Sequence, residues 1–139
     1  MTLNLLSALA ATLLLQAAPD AAATAVTTGA STEPAITAFD QLPIEEAAAP
    51  RCAIAFATVG RWQRASDPRG ADFPDMENDG GREFFVRTMA NLMDGRGLSR
   101  SEVAGMLTNE AEALDNDEGA ERVAAMMPAC LLMKQAAGL

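Results

Sequence analysis

Histidine and tyrosine are absent from this chain, lysine and tryptophan occur once each, and cysteine occurs twice. Each scarcity removes a class of chemistry. Without histidine there is no side chain that titrates near neutral pH, and the usual general base and transition-metal ligand are missing. After the N-terminal segment, serine is confined to Ser31, Ser66, Ser99 and Ser101, none with a base near it in sequence. A serine without a neighbouring base is a weak nucleophile. No glycine-rich phosphate loop follows a strand pattern. These gaps point to a protein that is not an enzyme and carries no cofactor. An enzyme built on carboxylates alone is the remaining catalytic reading.

Basic side chains are scarce too. Nineteen acids stand against ten bases, a net charge of −9. Phosphate backbones are bound through basic faces, so nucleic acid is excluded as a partner, and an anionic membrane surface is disfavoured. The charge keeps an apolar-rich protein soluble; a basic protein partner is the sharper alternative.

Long hydrophobic runs are also lacking. The longest, "LNLLSALAATLLL" from Leu3 to Leu15, is shorter than the roughly 20 residues that span a bilayer, but it has the length of a signal-peptide core. Pro19 and Asp20 break it. Ala21-Ala22-Ala23 and Ala23-Thr24-Ala25 then fit the small-x-small cleavage rule. No Lys or Arg precedes the core, which is unusual for a signal. The expectation is a signal peptide over 1–23 with cleavage after Ala23, a periplasmic or secreted mature protein, and no membrane span after the signal is removed. Residues 24–42, rich in Thr, Ala, Ser and Pro, are expected to form a flexible leader in which Ile36 and Phe39 make a short docking turn.

Residues 43–139 are expected to form a single helical domain. Alanine is the commonest residue and β-branched residues are sparse after the leader, a composition that favours helix over strand. Pro43 before "IEE" suits a first turn. Pro50 should kink or restart that helix at Ala49. Beyond it, Cys52, Ala55, Phe56, Val59 and Gln63 share a face with Trp62 at its edge. "DPRGADFPDMENDGG" is a long loop. A second helix over about 81–94 places Phe85, Met89, Leu92 and Met93 on one stripe. Ser99 and Glu102 then form a capping box opening a third helix to about Leu114, with Val103, Met106, Leu107, Ala111 and Leu114 inward. Glu110 falls on that face and is expected at its rim or paired with an arginine such as Arg87. A fourth helix, about 118–137, turns Val123, Met126, Met127 and Cys130 inward and should bend at Pro128. The fold class is all-α: a small four-helix bundle with kinked first and last helices and one disulfide.

Three ligand motifs fail. "DMENDG" at Asp75 begins like a calcium loop, but its twelfth position is Val86 where a bidentate acid is required. "DNDEG" at Asp115 fails likewise at Met126. Methionines could hold copper(I), but their helical spacing beside Leu, Val and Phe suits adaptable core filling. No metal is expected. Cys52 and Cys130 make neither a C-x-x-C motif nor a metal knuckle, and in an exported protein an even number of buried thiols pairs. They are assigned to a structural disulfide joining the first helix to the last. Trp62 and Phe73 are the candidate binding surface.

The run "RCAIAFATVGRWQ … GREFFVRTMANLMDG … MMPACLLM" resembles small uncharacterised secreted helical proteins of alphaproteobacteria, over about residues 50–135. In architecture alone the chain is similar to the HdeA-type acid-stress chaperones: small, periplasmic and helical, with a disulfide between an early and a late helix. The functional expectation is an exported, non-enzymatic module that binds a protein partner or supports the envelope. A periplasmic acid-stress chaperone is the alternative, and the carboxylate-only enzyme the alternative of another class.

Overall fold

The computed structural model describes residues 35–139; residues 1–34, on which the expected signal peptide and most of the expected leader fall, lie outside the described residues. A 3₁₀ turn at Phe39–Gln41 precedes α1 (Ile44–Arg64), and a second at Pro68–Gly70 precedes α2 (Gly81–Arg96), α3 (Arg100–Ala113) and α4 (Asp117–Ala136). No strand occurs among the described residues, and the architecture is a small all-α bundle.

The first helix is its spine. It packs against every other element. Its small residues let the neighbours approach from several sides, so Ala47, Ala53, Ala55, Thr58 and Gly60 are buried with Ile54, Phe56 and Val59. An amphipathic stripe was expected here; the burial reaches well round the helix instead.

Neither proline breaks its helix. The expected restart at Ala49 does not occur: α1 is continuous across Pro50, as α4 is across Pro128. A proline withdraws one N–H, from the bond to the carbonyl four residues earlier. In a packed bundle helical stability comes mainly from tertiary contact, which tolerates that loss.

The helix α2 runs back along α1. Its last residue, Arg96, reaches Glu46 in the first turn of α1 at 2.5 Å, while Phe84 in its own first turn meets Phe56 edge-on at 5.3 Å. Of the stripe expected around Phe85, Met89 and Leu92 are buried, Gly81, Phe84 and Thr88 join them in the core, and Phe85 and Met93 are half-buried. Gly97, at φ 63°, ends the helix, with Leu98 N–H donating back to the Met93 carbonyl at 3.1 Å. This is a Schellman stop.

The capping box at α3 forms as expected. Ser99 N–H donates to Glu102 Oε2 at 2.7 Å, and Glu102 N–H donates to Ser99 Oγ at 3.3 Å. Val103, Met106 and Leu114 are buried below it, with Leu107 and Ala111 partly so. Glu110 is half-buried at the rim and makes no ion pair among the described residues; Arg87 pairs with Glu83 on its own helix. Asn116 caps α4 through Gly119 N–H at 2.7 Å. At Gly119 the turn closes so tightly that a Cβ would lie 2.5 Å from Leu114 Cα. From there Gly119, Val123, Met127, Cys130 and Lys134 form one buried stripe, with Met126 half-buried beside it.

Cys52 and Cys130 are bonded, with Cα atoms 5.1 Å apart, in the interior between α1 and α4. Closing a loop of this length stabilises by roughly 4 to 5 kcal/mol on chain entropy alone. The docking turn also forms: Phe39 is 1% exposed and Leu42 is buried, so the last residues of the expected leader belong to the core.

Candidate functional site

The long connection between α1 and α2 builds the most detailed surface of the molecule, and one side chain organises it. Gln63, at the end of α1, donates from Nε2 to the carbonyls of Gly70 (3.2 Å), Phe73 (3.2 Å) and Pro74 (2.8 Å), and its Oε1 accepts from Met76 N–H at 3.1 Å. One amide thus replaces the ladder that the loop lacks. Met76 is thereby pulled into the core.

Asp67 starts the loop by accepting from Arg69 N–H at 3.0 Å and from its guanidinium at 2.6 Å. Those bonds hold the Asp67 carboxyl below its ordinary range and raise Arg69. The Arg69 guanidinium lies 4.9 Å from the centre of the Trp62 ring. Of the two residues expected to form a binding surface, Trp62 is 3% exposed, its indole packed beneath the loop, and Phe73 is half-buried. A tryptophan at the edge of a predicted stripe looks like a surface anchor until a loop is laid over it.

The acids of "DMENDG" have local tasks. Asp75 accepts from Glu77 and Asn78 N–H at 3.0 and 3.2 Å and from the Asn78 amide at 2.8 Å, bonds that lower its carboxyl, those of Asn78 most. Asp79 takes the ammonium of Lys134 at 2.7 Å on its carboxylate and again on its backbone carbonyl. This contact ties the loop to α4.

Between the loop and the first two helices lies a groove. Phe56, Ala57, Gly60, Met76, Gly81 and Phe85 form its apolar lining, Arg64, Glu77 and Arg82 its charged rim, and its volume is about 210 Å³. A shallower pocket of about 250 Å³ continues it toward α3, sharing Ala57, Arg64 and Phe85 and adding Ile54, Thr58, Arg61, Leu107 and Ala111. The facing of α2 makes this site: it puts Phe84 in the core and leaves Phe85 in the groove wall. Sequence reasoning missed it because the "FF" pair gives no local sign of which ring turns inward. The chemistry available is recognition, an apolar slot beside guanidinium groups.

Comparison with family models, with characterised proteins and with solved structures finds no match to this chain. Among the described residues no helix is long and apolar enough to cross a membrane.

Proposed function

We propose that this protein is an exported, non-enzymatic binding module that engages a protein partner. The groove walled by Phe85 carries the reading: an apolar slot open to solvent, ringed by charge and fixed on two packed helices, is the form of a recognition site. The residue inventory supports the absence of catalysis, since neither histidine nor tyrosine is available as acid or base. A disulfide between α1 and α4, together with the sequence of residues 1–23, supports export. The test is affinity capture from envelope extract on the immobilised full chain, scored against a denatured control. A specific partner is the expected result; none above background contradicts the proposal.

A second reading, the acid-stress chaperone, is favoured by the outer side of α4. Ala124, Ala125, Pro128 and Ala129 are exposed there beside Leu132 at 66%. Light scattering of an acid-sensitive client at about pH 3 tests it. Suppressed aggregation at equimolar protein is expected of a chaperone, and its absence removes that reading.

A further inference from the structure

We propose that the groove between α1, α2 and their connecting loop takes one large apolar side chain of a partner polypeptide, with a carboxylate next to it held by Arg82. The proposal rests on the binding-module reading and names what is bound.

Size selects the apolar part. The pocket walled by Phe85, about 210 Å³, is smaller than the roughly 300–1,000 Å³ of sites that enclose whole small molecules, and larger than the roughly 150 Å³ that accepts a benzene ring. That is room for one Leu, Met or Phe side chain. The groove does not stop there: the second pocket beyond Phe85 gives an extended segment a place to continue.

Charge selects the neighbour. In a chain of net charge −9, three arginines converge on this groove. Arg61 is committed to Asp115 at 3.0 Å, and Arg64 is drawn to Glu77 at 3.7 Å. Arg82 is exposed and makes no ion pair among the described residues. An uncommitted guanidinium at the rim of an apolar slot is suited to a carboxylate, which it can meet with two parallel hydrogen bonds.

The groove also admits a clean blocking substitution. Ala57 is exposed, lies in the middle of α1 and lines both pockets. A glutamate there favours helix and stands four residues before Arg61, so it supports the helix while it occludes the slot and supplies the anion in cis.

The probe is N-acetylphenylalanine, which carries both features, titrated into the isotopically labelled, disulfide-bonded full chain by two-dimensional NMR. Saturable shifts are expected at Gly60, Met76, Gly81 and Phe85 with a Kd of about 1 mM, the scale set by ligand efficiency for a ligand this small. The amide of the same compound, and the variant Arg82→Gln, should each weaken binding by about three- to tenfold. Ala57→Glu should abolish the shifts. Equal affinity for acid and amide, unchanged affinity in Arg82→Gln, or saturation at other residues would overturn the proposal. Should Ala57→Glu lose its helical circular dichroism, Arg82→Gln decides, because that exposed side chain makes no ion pair among the described residues. A captured partner that binds Ala57→Glu as well as the parent removes this proposal and leaves the binding module standing. No captured partner removes the reading beneath it.

Discussion

Lys134 is the most buried ionised side chain described, 3% exposed, while its partner Asp79 keeps half of its side chain in water. The asymmetry decides what substitution does. Asp79→Ala leaves a buried ammonium with only a backbone carbonyl and should destabilise by about 1–3 kcal/mol, below the full figure for a wholly buried pair. Lys134→Met keeps the apolar stem, leaves Asp79 to water, and should change stability by less than about 1 kcal/mol. Urea unfolding of the two variants checks the order, and a larger loss in Lys134→Met would contradict it. Gln63→Ala should lower stability by about 2 kcal/mol, allowing for loop carbonyls that regain water, and should open residues 71–79 to limited proteolysis. Unchanged protection of that segment would refute the organising role. Neither residue advertises its task in sequence. Gln63 has the spacing of an inner-face residue, but its partners lie in a loop without periodicity; Lys134 reads as a helix-end cation until Asp79 is folded onto it.

At the level of elements, the best-resolved readings are those with local causes. The Ser99–Glu102 box and the opening of α1 at Pro43, with Glu45 and Glu46 in its first turn, each rest on residues within one turn of one another, and both are present. Ser99→Ala should cost about 1 kcal/mol. The cap also gives α3 a pH dependence. Hydrogen bonds from the Ser99 hydroxyl and N–H lower the Glu102 carboxyl from its ordinary value. A depressed folded value means that the cap contributes fully above the ordinary carboxylate range and is lost as pH falls through the lowered one. Parent and Glu102→Gln should therefore differ in thermal stability at pH 7 and converge toward pH 3; a constant difference would contradict the cap. What the sequence left illegible had distant causes. The continuity of α1 through Pro50, the inward turn of Phe84 in place of Phe85, and the covering of Trp62 all depend on contacts between elements. With them went the groove, since its position follows from that turn of α2 against α1.

For the whole molecule, the Cys52–Cys130 bond joins the central helix to the last one, and both sulfurs lie in the interior. This pairing was legible because only two cysteines exist and both fall on inner faces, so no competing connectivity arises. Cys52→Ala and Cys130→Ala should each reduce stability, by as much as roughly 4 kcal/mol, and the double variant should lose little more than either alone. Additive losses would mean that the cysteines act separately. The proposed module rests on export and on a disulfide formed there, and one measurement meets both most directly: the intact mass of the unreduced protein recovered from the envelope fraction of its own cell. The account predicts the mass of a chain beginning at Thr24, short by two hydrogens, with no thiol open to alkylation after denaturation. A cytoplasmic chain retaining its N-terminal segment, with both thiols free, would contradict it.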